Sequence, residues 1–247
     1  MAATAKEPGA LTVKLKGLDE AAERTLAFRF ERPPDWVFKP GQTVDIMLPD
    51  PLKSGSGSNT RTFSIASAPH EDILMVATRM RDSAFKRTLA SMPVGTAVSI
   101  DGPFGNFLLH NNPEKTAVLL AGGIGITPFR SMVFRAANEK LPHHIFLFYS
   151  NRRPEDAAFL EELGALEKEN PNYKLIATMT RMEKSSRQWE GETGYIDKQM
   201  LSRYVKDASS PVYYIAGPPA MVRGLREMLE KAGVDDDDIR ADDFSGY

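Results

Sequence analysis

The sequence predicts two domains: an antiparallel β-barrel over residues 1–112, then a doubly wound α/β domain with a parallel sheet over residues 113–247. Three observations carry this. Through about residue 110 the apolar residues fall in short runs separated by Pro and Gly, the spacing of an antiparallel barrel or sandwich. After Pro113, strand-like runs alternate with helical patterns, which implies a parallel sheet covered on both faces. Two of those runs end in Gly-rich or Gly-Pro turns that open a helix.

In the first half the expected strands are Leu11–Leu15, Thr25–Phe30, Thr43–Leu48, Ile73–Arg79 and Ala97–Ile100, with Arg61–Ser64 starting another. DPLKSGSGSN, between Pro49 and Thr60, reads as a Gly/Ser-rich mobile loop. Phe85, Leu89 and Met92 recur at helical spacing within Ser83–Met92. In the second half Thr116–Ala121 is a buried strand, Gly122–Thr127 a glycine turn, and Thr127 the N-cap of a helix starting at Pro128. Strands are expected at Ile145–Tyr149, Leu175–Thr180 and Val212–Ala216. Pro154 should open a helix with Phe159, Leu163 and Leu166 on one face. Pro219 should open the last one, with Met221, Leu225 and Met228 aligned and a stop near Gly233.

Composition narrows the function classes. The 247 residues carry 31 Lys+Arg against 33 Asp+Glu, a net charge of −2, which argues against a phosphate-backbone binder and hence against a nucleic-acid partner. There is no cysteine, so disulfides, thiolate nucleophiles, Cys-based zinc sites and Cys-ligated iron–sulfur clusters are excluded within this chain. No window approaches a membrane span, and MAATAKEPGA lacks an apolar signal core, so the expected location is cytoplasmic. No metal site is expected: His143 and His144 are adjacent and point oppositely in extended chain, and His70 and His110 have no paired ligand pattern. The methionines read as core filler, and Asp235–Asp238 as a solvated turn.

The chemistry concentrates in three places. AGGIGITP (Ala121–Pro128) follows a strand and opens a helix, where glycines let the backbone approach a pyrophosphate and free N–H groups face it. YIAGPPAM (Tyr214–Met221) repeats that arrangement at another strand end, where such sheets bind ligands. In Arg61-Thr62-Phe63-Ser64, alternation puts Arg61 and Phe63 on one face and Thr62 and Ser64 on the other. A cation beside an aromatic could hold a phosphate and stack a planar ring. Taken alone, the segment reads first as a strand with a core Phe and a solvated Arg.

RTFS followed by IAS, then GPFGNF (Gly102–Phe107), AGGIGITP, YSNRR (Tyr149–Arg153), AGPPAM (Ala216–Met221) and an aromatic C-terminus come in one order. That order resembles the ferredoxin–NADP⁺ reductase-like flavoprotein superfamily over nearly the whole chain. The resemblance implies a flavin-binding barrel, a nicotinamide-nucleotide domain, and FAD and NADP(H) as cofactors, with NAD(H) left open. Arg61 would pair with the flavin pyrophosphate, Phe63 would stack on the isoalloxazine beside Thr62, and Ser64 would hydrogen-bond near flavin N5 in the catalytic step. After Arg79, the stretch Met80–Lys86 matches the second flavin-phosphate element, with the backbone N–H groups of Ser83, Ala84 and Phe85 facing the anion and Lys86 nearby. Ser83 could also serve as a plain N-cap. Gly122, Gly123, Gly125 and Thr127, with Gly217 and Pro218 opposite, would cradle the nicotinamide cofactor. Ser150, Arg152 and Arg181 are candidates for an adenosine 2′-phosphate, which favours NADPH. Tyr247, or failing that Phe244, would cover the flavin opposite Phe63.

Together these roles amount to an FAD-dependent NAD(P)H oxidoreductase. It passes hydride to flavin N5 and electrons to an acceptor such as ferredoxin, flavodoxin or an oxygenase component. The alternative is a non-catalytic flavin- or nucleotide-binding subunit of a larger complex. Two positions depart from the family pattern. Ala216 stands where the family often has Cys, and Phe63 lacks the hydroxyl of a tyrosine at that position.

Overall fold

The computed structural model of the chain describes residues 9–49 and 59–244. The Gly/Ser-rich loop (but for Asn59) and Tyr247 lie outside the described residues.

Six antiparallel strands come first: β1 (Leu11–Ala22), β2 (Thr25–Glu31), β3 (Thr43–Met47), β4 (Thr60–Ser64), β5 (Ile73–Arg79) and β6 (Ala97–Phe104). Their order is β4-β3-β6-β1-β2-β5. The edges meet where Ala66 N–H, just past β4, donates to Met75 O of β5 at 2.8 Å, so the sheet curls into a barrel. Alternation decides what fills it. Val13, Leu15, Phe28, Phe30, Val44, Ile46, Val76 and Ile100 point inward, and Phe85 and Leu89 of helix α1 (Ala84–Ser91) join them.

The second sheet is parallel, in the order β10-β9-β8-β7-β11-β12. Its strands are β7 (Ala117–Gly122), β8 (Ile145–Asn151), β9 (Tyr173–Met179), β10 (Glu192–Thr193), β11 (Val212–Gly217) and β12 (Ile239–Asp243). Central strands here are apolar without a break because both faces are covered. In β7, Ala117, Leu119 and Ala121 pack towards α2 (Ile126–Asn138) and α3 (Leu160–Ala165). Val118 and Leu120 pack towards α4 (Lys198–Tyr204) and α5 (Pro219–Lys231).

Several local expectations are corrected. Thr127 is not an N-cap: α2 begins at Ile126 behind Gly125, and the Thr127 hydroxyl donates to Ile124 O at 3.0 Å within the helix start. Pro154 opens only a short 3₁₀ turn. Phe159, at φ 63°, then reverses the backbone before α3, so the helical face read from Pro154 onward is broken. Ser83 precedes α1 without a side-chain capping bond. The buried residues of α5 are Val222, Leu225 and Leu229, while Met221 and Met228 are half-buried, packing against that core and also lining a cleft. Asp235–Asp238 is more than a solvated turn. Asp238 pairs with Lys115 at 2.7 Å, and β12 follows directly.

Candidate functional site

Each parallel strand directs its C-terminal end at the barrel, and a cleft of about 890 Å³ opens between the two. From the second sheet it is lined by Gly122 and Gly123 at the end of β7, Ser150 to Arg152 at the end of β8, Thr180 and Arg181 after β9, and Pro218 and Met221 after β11. The barrel contributes Arg24 and Arg79 through Asp82. Eight of the residues singled out from the sequence therefore share one cavity: Arg79, Met80, Gly122, Gly123, Ser150, Arg152, Arg181 and Pro218.

The glycine turns are shaped by contact with each other. A Cβ on Gly122 would meet Met221 Sδ at 2.3 Å and Pro218 Cδ at 2.9 Å. Gly125 and Thr127 do not line the cleft. A Cβ on Gly125 would lie 2.2 Å from Ala216 O, so that glycine lets the β7–α2 turn press on the end of β11. Two backbone bonds, Thr180 N–H to Asn151 O at 2.9 Å and Arg181 N–H to Arg152 O at 2.8 Å, keep the loops after β8 and β9 together. Arg152 and Arg181 thus stand side by side.

Beside the cleft, on the barrel, lies a second constellation. The Arg61 guanidinium stands 5.6 Å from the Phe85 ring centroid, and Phe63 lies 6.0 Å from the same ring. Lys86 Nζ donates to Arg79 O at 2.8 Å. Burial lowers the Lys86 pKa, and the positive charges of Arg81 and Arg61 lower it further. Three cations converge at the start of α1, where backbone N–H groups lack intrahelical acceptors, and that set suits a multiply charged anion. Thr62 faces the other way, its hydroxyl donating to Asp45 Oδ1 at 2.5 Å. Ser64 is 4% exposed, and its hydroxyl has no hydrogen-bond partner among the described residues. A buried hydroxyl left unmatched costs free energy, so its partner is expected from outside the chain. This donor set fits a flavin whose ring lies along Phe63 and whose phosphates meet Arg61, Lys86 and the α1 start.

The C-terminal residues divide. Phe244 donates its N–H to Gly217 O at 3.1 Å and packs on the apolar cluster around Phe129 and Tyr214. Tyr247 is outside the described residues. Sequence reasoning missed Arg24, Tyr195 and Asn151. Arg24 stands at the β1–β2 turn with φ 59° and Tyr195 is exposed, and both line the cleft. Asn151 is buried with an unpartnered Nδ2. Only the last carries a local signal, its place inside YSNRR.

Comparison with known proteins agrees with this geometry. Residues 119–227 match the family described as Oxidoreductase NAD-binding domain. The ferredoxin NADP⁺ reductase from Neisseria gonorrhoeae, solved with bound FAD and NADP, superposes with a TM-score of 0.79 at 21% identity, covering 96% of this chain and 99% of that one. The chain shares the two-domain fold of the ferredoxin reductase-like flavoproteins. The FAD/NAD-binding domain of nitric oxide dioxygenase from Vibrio cholerae has the same fold, with a TM-score of 0.82, 17% identity, and 96% and 99% of the two chains covered. A component of the Na⁺-translocating NADH-quinone reductase of Pseudoalteromonas atlantica is 30% identical over 201 residues, covering 75% of this chain and 49% of that protein. The chain spans about half the length of the curated relatives it matches. Among the described residues no helix is long and apolar enough to cross a membrane.

Proposed function

We propose that the chain is an FAD-dependent NAD(P)H oxidoreductase, made of a flavin-binding barrel (residues 1–112) and a nucleotide-binding domain (residues 113–247). The observation that carries the proposal is the 890 Å³ cleft, which joins the glycine turns of a parallel sheet to the barrel's Arg79–Asp82 segment. A flavin held on the barrel beside that cleft would take hydride from reduced nicotinamide at N5 and release the electrons to an onward acceptor; that chemistry is the cofactor's own. The protein supplies geometry. Arg61, Lys86 and the α1 start hold the pyrophosphate, Phe63 supports the ring, and the Ser64 hydroxyl donates towards N5. Gly122 and Gly123, with Gly217 and Pro218, admit the nicotinamide end of the nucleotide. Reaction requires the donor carbon to reach about 3–3.5 Å from N5.

NADPH is favoured over NADH. Ser150, Arg152 and Arg181 line one stretch of the cleft, and the only carboxylate among the described lining residues, Asp82, comes from the barrel. A guanidinium at the end of the second strand suits a 2′-phosphate, whereas a carboxylate there would suit a free 2′-hydroxyl. NADH is the rival, favoured by the relative named for it. The acceptor is an electron carrier or an oxygenase component, and the alternative function is a flavin-binding subunit without turnover of its own.

An anaerobic titration decides among these. Purified protein should show a flavin spectrum that bleaches on adding NADPH, and more slowly with NADH. Replacing Arg152 and Arg181 together by Ala should erode the preference by raising the NADPH KM. A flavin that neither nucleotide bleaches would favour the non-catalytic subunit, and a wild type indifferent to the 2′-phosphate would remove both arginines from that role.

A further inference from the structure

Arg130 is the most heavily bonded side chain at the seam between the two sheets. It is 4% exposed on the second turn of α2, and all five of its N–H donors are used. Nε donates to Glu162 Oε1 at 2.5 Å and one Nη to Glu162 Oε2 at 3.1 Å and Glu71 Oε1 at 3.2 Å. The other Nη donates at 2.9 Å to both Glu71 Oε2 and the backbone carbonyl of Ala66. The next residue repeats the gesture: Ser131 Oγ donates to Ser67 O at 2.6 Å. Phe134 and Phe159 lie under the guanidinium, 4.3 and 5.3 Å from its central carbon.

The segment grasped in this way is Ile65–Ala68, wholly buried and starting one residue after Ser64. Its own bonds fix it to the barrel. Ile65 N–H reaches Gln42 O, Ala66 N–H reaches Met75 O, and Ser67 Oγ accepts from Met75 N–H at 3.0 Å. The helix doing the grasping begins directly behind the Gly123–Gly125 turn, itself pressed on Ala216. A continuous path of short, buried contacts therefore runs from the nucleotide turn through α2 to the strand end that carries Ser64.

We infer that Arg130, with Ser131, is a positioning residue: it sets the separation between the nicotinamide-binding turn and the Ser64 hydroxyl, and so the distance over which hydride passes. This rests on the oxidoreductase function proposed for the cleft. It assigns to Arg130 a role in rate beyond holding two domains together. The planar fork is required, because a lysine in its place keeps the charge but supplies three donors from one point and cannot span both carboxylates and the Ala66 carbonyl. A misplacement approaching 1 Å costs up to about a hundredfold in rate when donor and acceptor must meet within a narrow range.

The test uses the FAD-loaded full chain. Arg130→Lys and Ser131→Ala are compared with wild type and with Arg135→Lys, a change one turn on at an exposed pair with Glu139. Four quantities are read: thermal midpoint, FAD affinity, visible circular dichroism of the bound flavin, and single-turnover bleaching by NADPH against NADP⁺ Kd. Arg130→Lys should bleach about tenfold or more slowly with NADP⁺ Kd unchanged and an altered visible dichroism. Ser131→Ala should move the same way by less, and Arg135→Lys should match wild type. Should Arg130→Lys fail to fold, Ser131→Ala alone decides. A lowered midpoint with wild-type dichroism and bleaching rate per bound flavin would overturn the inference and leave Arg130 a structural tie. A wild type that binds FAD but does not bleach would instead overturn the oxidoreductase reading, and this inference with it. The dichroism and affinity data tell the two failures apart.

Discussion

Gly125→Ala sets two effects of opposite sign against each other. Gly125 has φ −60° and ψ −5°, a conformation that alanine adopts freely. By unfolded-state entropy alone the substitution should stabilise by about 0.4–1 kcal/mol. The added methyl, however, would lie 2.2 Å from Ala216 O, 2.5 Å from Ala216 C and 2.7 Å from Gly217 N. Ordinary contact begins at 3.4 Å, so the nearest atom must retreat by about 1.2 Å. All three atoms are backbone in a buried parallel strand, with no side chain to rotate aside. Overpacking of this kind costs about 1–3 kcal/mol, which exceeds the entropic gain and leaves a net loss of about 1–2 kcal/mol. For a chain of this size, thermal unfolding should show a midpoint lower by roughly 2–8 °C. The displaced Ala216–Pro218 turn should also weaken NADP⁺ binding, read by titration calorimetry. A midpoint at or above the wild type would refute the reasoning, since it would mean that the start of α2 can tilt away from β11 at no cost.

Three further outcomes are expected. Arg61→Ala should weaken FAD binding roughly ten- to a hundredfold, the worth of one charge-assisted hydrogen bond, and unchanged affinity would remove Arg61 from the site. Ser64→Ala deletes a buried hydroxyl with no partner among the described residues, so the flavin-free protein should unfold at the same or a higher temperature while the loaded protein is reduced more slowly. A clear drop in flavin-free stability would show that the hydroxyl is already satisfied within the chain. The His110 pKa is lowered chiefly by burial; the Lys115 carbonyl bond opposes this, and His143 and Arg240 add to it. Unfolding therefore takes up a proton, the stability linked to His110 is complete above about pH 6.5, and it is lost as pH falls below that value. The thermal midpoint should decline between pH 7 and 5.5, and the decline should be shallower in His110→Gln.

The sequence was most legible where local pattern and tertiary environment agree. Ile73–Arg79 is a strand with the bounds its apolar run suggested, and Ala117–Ala121 is buried on both faces because it is apolar on both. Ile239–Asp243 escaped because only Ile239 is buried in that edge strand, and an acidic run precedes it. β1 runs on to Ala22 through exposed polar residues whose only reason to be extended is the pairing with β2. In the candidate site, glycine turns announce themselves, since a strand ending in Gly before a helix has few other uses. Phe63 and Arg61 needed the resemblance to become more than a strand. Arg130 could not be found at all: its partners lie 32, 59 and 64 residues away, and nothing in PFRSM sets it apart from any other arginine.

The tip of the β1–β2 hairpin reaches across to the second sheet, where Glu23 N–H donates to Glu155 O at 2.8 Å and the Glu23 carboxylate meets Arg153, also at 2.8 Å. Arg79 and Asp156 form a bridge 3.1 Å long in the same cluster, since Arg153 also pairs with Asp156 at 3.0 Å, and Arg130 adds its own attachment through Glu71. These ties along the seam resist separation of the two lobes, so the width of the gap between them is held by the protein's own bonds. A ligand entering such a slot finds its width already fixed. Little free energy would then be spent on closing around a ligand, and discrimination would rest on the fit of the entering group.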